Sequence, residues 1–181
     1  MRNLPNSITV LRIFAVPVVI WLILGGYIQA AFWIFLAAGA SDGIDGYLAR
    51  RWNQRTELGA YLDAVADKAL LVSIFITLSI GQFIPVWIAI AVVSRDLMIV
   101  GAVILSWLLD HPLIIKPLMI SKLNTVAQIA FAALALGLVG FGIHAGDWLL
   151  FGGYVVGVLT VLSAVAYLAA WMRHMARAAE S

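Results

Sequence analysis

Six long apolar runs, at 8–26, 30–50, 57–80, 84–108, 121–141 and 148–172, leave this 181-residue chain too little polar surface for a water-soluble fold. Each run is about long enough to cross a ~30 Å hydrocarbon core as a helix. Lipid offers no partner to backbone N–H and C=O groups, so a spanning segment must satisfy its own, as a helix does. The composition agrees, with 64% hydrophobic and 11% charged residues and a mean hydropathy of +1.05. The fold class expected is all-α integral membrane, six transmembrane helices in one domain over 1–181. The breaks at Gly25-Gly26, Gly81-Gln82 and Gly142 to Gly146 hold no Lys or Arg. The other breaks hold Arg50, Arg51, Arg55, Lys116 and Lys122, and the tails hold Arg2, Arg173, His174 and Arg177. The positive-inside rule then puts both termini in the cytoplasm, or in the matrix of a mitochondrion. A bacterial inner membrane is the simplest location, and Arg12 and Pro17 within the first run argue against a cleaved signal peptide.

Against this background the stretch from Asp42 to Asp67 stands out, because it puts four aspartates into membrane-spanning segments. On a helix Asp42, Asp45, Gly46 and Ala49 fall at i, i+3, i+4 and i+7 and share one face. Gly59, Asp63 and Asp67 share a face at i, i+4 and i+8. The polar linker from Arg51 to Thr56 reads as a turn, so the two helices return antiparallel. At about 1.5 Å per residue, Asp45 and Asp42 lie roughly 8 and 12 Å from Arg50, and Asp63 and Asp67 roughly 9 and 15 Å from Glu57. All four are expected at one level just inside the membrane. An aspartate at a helix centre costs about 2.5 kcal/mol or more on insertion scales, and four carboxylates repel one another unless a positive charge sits among them. Oxygen ligands with neither Cys nor His nearby suit Mg²⁺, Mn²⁺ or Ca²⁺ better than zinc. The chain has no cysteine, which excludes disulfides, cysteine lipidation and thiolate metal sites. A net charge of +2 gives no reason to expect a nucleic-acid partner.

The spacing D-x2-D-G-x2-A-R-x8-G-x3-D-x3-D, from Asp42 through Arg50 and Gly59 to Asp67, resembles the signature of the CDP-alcohol phosphatidyltransferases at every fixed position. Eight specified residues at about 5 to 8% usage each make a chance match on the order of 10⁻⁸. The resemblance implies that two metal ions, Mg²⁺ or Mn²⁺, are held by Asp42, Asp45, Asp63 and Asp67 and bind the pyrophosphate of CDP-diacylglycerol. It also implies that an alcohol attacks with release of CMP, and that Asp67 is the general base. Gly46, Ala49, Arg50 and Gly59 would receive the CDP, the small residues giving room for a flat cytosine or close backbone approach. Asn6, Thr9 and Arg12 match an N-x2-T-x2-R pattern of the family, which implies a contribution to the nucleotide and phosphate end. A homodimer is implied only by what relatives do. One departure is Ala64, where the family commonly shows proline after the third aspartate.

The remaining polar residues bear on the acceptor. Ser94-Arg95-Asp96-Leu97-Met98 lies within the fourth apolar run, and neighbours in sequence point in different directions, so Arg95 and Asp96 need not bond each other. The fifth run opens Ile120-Ser121-Lys122-Leu123-Asn124-Thr125-Val126-Ala127-Gln128, with Lys122, Thr125 and Gln128 on one stripe. Together with Lys116-Pro117 these stretches resemble the subgroup of the family that forms cardiolipin with release of CMP. That resemblance implies phosphatidylglycerol as acceptor, with Arg95 and Lys122 meeting its phosphate. Glycerol 3-phosphate, the acceptor of phosphatidylglycerophosphate synthases, is the rival. Lys68 either pairs with a carboxylate or snorkels, His111 reads as exposed, and the link from Asp110 to Pro117 suits the membrane interface. The start of the first segment, Asn3-Leu4-Pro5, reads as a short interfacial stretch with Asn6 or Ser7 as the helix cap. The sixth segment, small and apolar with Gly152-Gly153, Gly157 and Ala164, shows packing and no chemistry. A cation transporter would also carry aspartates in the membrane, but the outer halves of the segments offer no polar path.

Overall fold

The computed structural model describes residues 4–52, 57–109, 119–144 and 147–179, with side chains over 12–41, 66, 68–109, 119–144 and 147–176. Six helices follow one another: α1 (Leu4–Leu24), α2 (Ile28–Trp52), α3 (Glu57–Ile80), α4 (Val86–Leu108), α5 (Met119–Gly140) and α6 (Trp148–Ala179). There is no strand among the described residues. Within the described side chains, α4, α5 and Trp148–Ala176 of α6 are long and apolar enough to cross a membrane. Shorter apolar helical stretches cover Arg12–Leu24, Ile28–Ser41 and Lys68–Ile80. The protein is an integral membrane protein, and exposed Trp21, Leu97 and Phe151 are the surface that lipid covers.

The helices depart from the sequence reading at three ends. Helix α1 includes Leu4 and Pro5, so Asn6 and Ser7 lie inside it rather than capping it, and Asn3 lies outside the described residues. Proline is tolerated there because the first-turn N–H groups lack intrahelical partners and its fixed φ suits a helix. Arg51 and Trp52 continue α2 instead of opening the turn, neither being a helix breaker. Residues 53–56 of that turn and the link 110–117, with His111, lie outside the described residues. Helix α6 runs on to Ala179, so the basic segment from Arg173 is helical rather than a separate tail.

The chain forms two compact units, the first from 1–84 and 132–146, the second from 85–131 and 147–181. In the first, α1 packs on α2 and α3 around Val19, Ala31, Phe35, Ile74, Phe75 and Leu78, all buried. The end of α5 comes so near α2 that a Cβ on Gly140 would lie 2.8 Å from the Gln29 backbone nitrogen. Phe32 and Phe141 meet edge to face at 5.6 Å beside it. Three helices of this unit end alike. In α1, Gly26 N–H donates to Ile23 C=O and Tyr27 N–H to Leu22 C=O, and the same pair of bonds recurs at Gln82 and Phe83 and at Gly142 and Ile143. This is the Schellman cap, whose turning residue is left-handed: Gly26 at φ 79°, Gly142 at 63° and, without glycine's freedom, Gln82 at 58°.

In the second unit α4 packs along α6. The glycines of α6 are what allow it. A Cβ on Gly153 would collide with Ile88, one on Gly157 would lie 2.5 Å from the Trp87 ring, and one on Gly152 2.9 Å from Phe131. The contacts from Trp87–Gly157 through Arg95–Ser163 to Ser106–Trp171 rise together in number, so α4 and α6 run parallel.

Candidate functional site

The signature residues sit on two helices. Asp42, Asp45, Gly46, Ala49 and Arg50 belong to the unbroken helix α2, and Gly59, Asp63 and Asp67 to α3. The side chains of these residues, and of Asn6 and Thr9 in α1, lie outside the described ones. The helical backbone supplies the i, i+3, i+4, i+7 and i, i+4, i+8 registers that sharing a face requires. With α2 ending at Trp52, Asp45 and Asp42 stand about 10 and 15 Å along the axis from its end, against about 9 and 15 Å for Asp63 and Asp67 from the start of α3. The two pairs are therefore more evenly matched in depth than the sequence reading gave. The donor set, carboxylates alone, fits a hard divalent cation. Among the described residues no group of three or more His, Cys, Asp or Glu could hold a metal ion. Arg12 at the end of the N-terminal pattern is buried, 3% exposed, and Lys68 beside Asp67 is half-buried.

The second unit holds a polar seam between α4, α5 and α6. Arg95 is 3% exposed. Its Nε–H donates to Ser163 Oγ at 3.2 Å, its Nη2 to the same oxygen at 2.8 Å and also to Ser121 Oγ. Its Nη1 donates to Asp96 Oδ1 at 2.6 Å, so the two neighbours in sequence do bond each other. The ring of Tyr167 lies 5.7 Å from the guanidinium carbon, within cation–π reach. Four of the five guanidinium hydrogens are thus engaged. Lys122, next to Ser121, is exposed and takes no part in this cluster.

Further along the seam Gln128 Nε2 donates to Thr160 Oγ1 at 3.4 Å, and Thr160 donates to Asn124 Oδ1 at 2.9 Å. The Nδ2 of Asn124 is buried without a hydrogen-bond partner among the described residues. The inward stripe of α5 is therefore half-buried Ser121 with buried Asn124 and Gln128, one position round from the stripe of Lys122, Thr125 and Gln128 expected from sequence. Thr125 instead donates to the Ser121 carbonyl at 3.1 Å. The partners on α6 were missed altogether. Their signal was present, since Thr160, Ser163 and Tyr167 recur at i, i+3 and i+7 in an otherwise apolar helix. The small-residue pattern of α6 drew attention to packing alone.

Comparison with known proteins bears on the whole length. The family model for CDP-alcohol phosphatidyltransferases matches residues 2–172. The chain is similar to a rat cardiolipin synthase (CMP-forming), 34% identical over 150 residues, 74% of this chain and 50% of the relative. It is also similar to a chloroplastic CDP-diacylglycerol–glycerol-3-phosphate 3-phosphatidyltransferase of rice, 33% identical over 183 residues, 91% of this chain and 56% of the relative. This chain therefore spans about half the length of those two proteins. The CDP-diacylglycerol–glycerol-3-phosphate 3-phosphatidyltransferase of Escherichia coli is 33% identical over 176 residues, 93% of this chain and 94% of its own. The relatives are named for two different reactions, and what they share is phospholipid biosynthesis from a CDP-alcohol: this chain belongs to the CDP-alcohol phosphatidyltransferase family.

Proposed function

We propose that the protein transfers the phosphatidyl group of CDP-diacylglycerol to phosphatidylglycerol, giving cardiolipin and CMP. The observation that carries the transfer is the complete signature held on two unbroken helices, α2 and α3. In the reaction the acceptor hydroxyl oxygen bonds to the phosphorus that bears diacylglycerol, the bond from that phosphorus to the bridging oxygen breaks, and CMP leaves. Asp42, Asp45, Asp63 and Asp67 would hold two divalent ions, Mg²⁺ or Mn²⁺. When bound, such ions supply charge neutralisation for the pyrophosphate and the leaving CMP. Asp67 takes the hydroxyl proton as general base. Asn6, Thr9, Gly46, Ala49, Arg50 and Gly59 bind the CDP. The whole of 1–181 acts as one domain with six spans, both termini and the site facing the cytoplasm of a bacterial inner membrane, and works as a homodimer.

For the acceptor, Lys122 supplies an exposed cation. Arg95 supplies a fixed one, with a single Nη1 hydrogen left to offer. The stretches 94–98 and 116–128, which resemble the cardiolipin-forming subgroup, support phosphatidylglycerol. A second reading, glycerol 3-phosphate as acceptor, is favoured by the Escherichia coli relative, which this chain matches over almost its full length. Incubating purified protein with labelled CDP-diacylglycerol and each acceptor separately distinguishes them. Cardiolipin from phosphatidylglycerol is expected. Phosphatidylglycerophosphate from glycerol 3-phosphate, with no cardiolipin, would overturn it in favour of the second reading.

A further inference from the structure

Helix α6 has 32 residues, Trp148–Ala179, and is about 48 Å long at 1.5 Å per residue. A ~30 Å hydrocarbon core takes about 20 of them. Its first residue, Trp148, is exposed, as suits a tryptophan at the membrane interface, and a core measured from there ends near Leu168. The rest of the helix stands at the level of the headgroups and beyond. Its position against α4 is fixed by Trp171, whose Nε1–H donates to Ser106 Oγ at 2.8 Å. Past that bond α4 goes on only to Leu108, whereas α6 goes on to Ala179, so residues 172–179 overhang the end of α4 by about 9 Å.

The overhang carries Arg173, His174 and Arg177 and no acid, and Glu180 follows only after the last helical residue. Arg173 and Arg177, at i and i+4, share one face of the helix, and Arg173 is exposed. The helix dipole favours cations in the last turn alone, which leaves Arg173 without that reason for its place. Around this basic end the surface is apolar, with Val165 and Met172 of α6 and Trp107 and Leu108 of α4 all exposed. An acidic protein or a nucleic acid would leave those side chains in water. A lipid covers them with its chains and brings a phosphate to the level of the arginines, where each cation attracts an anionic headgroup. We infer that the end of α6 is a site for the headgroup of an anionic phospholipid of the surrounding leaflet, recognised by its charge whatever alcohol it carries.

The chain has no cysteine, so a single one can carry a probe. Leu162 is exposed and lies three turns below Arg173 on the same face, about 16 Å away, where the chains of a lipid held at Arg173 would pass. The full chain with Leu162→Cys, labelled with a bimane fluorophore, is reconstituted in vesicles of equal parts phosphatidylserine and phosphatidylcholine. Bromine, a quencher, is carried on the chains of one lipid or of the other. Neither lipid is an acceptor in either reading of the reaction, so substrate binding does not enter. Brominated phosphatidylserine should quench as if enriched about fivefold beside the probe, the factor that about 1 kcal/mol for one arginine gives. The preference should fade at high salt, and a probe at Val155→Cys, toward the other end of α6, should show none. Arg173→Gln/Arg177→Gln should abolish the preference at Leu162, and Arg173→Lys/Arg177→Lys should keep it. Equal quenching by the two lipids at Leu162, an equal preference at Val155, a preference that survives the glutamine variant, or its loss in the lysine variant overturns the inference.

Discussion

The acidic stretch of α2 and α3 and the seam of the second unit are both polar insertions into apolar helices, yet their charges are balanced in opposite ways. In the seam Asp96 accepts from Arg95, Ser121 and Ser163 take three more hydrogens of the guanidinium, and the Tyr167 ring lies over it, with one Nη1 hydrogen left. In the acidic stretch five carboxylates, four aspartates and Glu57, fall within 26 residues together with Arg50, Arg51 and Arg55, of which only Arg50 belongs to the signature. A polar group in lipid must find a partner: the first set finds it within the chain, and for the second the proposal is bound divalent ions. The seam is accordingly read as architecture that leaves one Arg95 hydrogen for the acceptor, and the acidic stretch, on the proposal above, as the place for metal ions and donor.

Substitutions should separate the two regions by what they damage. The largest effect is expected from Asp67→Asn, which should lower kcat about 10²- to 10⁴-fold, the range for losing a general base. It should spare CDP-lipid binding more than Asp42→Asn or Asp63→Asn does, because those two serve as metal ligands alone, needed for binding as well as chemistry, whereas the larger part of Asp67's effect is the proton it takes. Equal loss of nucleotide binding in all three would make Asp67 chiefly a ligand. None of the three is expected to lower thermal stability in detergent, since removing a negative charge relieves repulsion.

In the seam stability should fall instead. Arg95→Leu removes the guanidinium that donates to buried Asp96 and should cost about 3 to 5 kcal/mol, while the double variant Arg95→Leu/Asp96→Leu should recover part of that. Denaturation in mixed micelles would measure both, and a double variant no better than the single would show that the pair is not the relevant unit. Ser163→Ala removes the acceptor of two Arg95 bonds and should cost about 1 to 3 kcal/mol, with Ser163→Thr milder. Smallest, and outside both regions, Gln82→Gly should stabilise by about 0.4 to 1 kcal/mol, because Gln82 holds the left-handed cap that Gly26 and Gly142 hold elsewhere. A loss of stability there would mean that the Gln82 side chain contributes contacts.

What was legible in the sequence follows the same division. Helix bounds were readable because lipid imposes a length on every apolar run, and Gly25-Gly26, Gly81-Gln82 and Gly142 mark where chains turn. The aspartates were readable because charge in lipid is conspicuous. Ser163 and Thr160 were not, since a hydroxyl is compatible with an apolar helix through a bond to its own backbone, as Ser106 makes to Ala102. The stripe of α5 was misread by one position because periodicity gives a helix's faces without their rotation toward a neighbour, and Lys122 drew the stripe toward itself. Arg95 was found, but its partners on α6 depend on packing by Gly153 and Gly157 that no local pattern encodes.

The central claim, that the acidic stretch imports its counter-charge, is tested most directly by counting divalent ions on the purified protein. Mn²⁺ titration followed by electron paramagnetic resonance, in the presence of CDP-diacylglycerol, should give two bound ions per chain. Asp42→Asn and Asp63→Asn should each weaken or remove binding, and Arg95→Leu/Asp96→Leu should leave the count unchanged. Absence of bound Mn²⁺, or binding that survives both aspartate substitutions, would contradict the account.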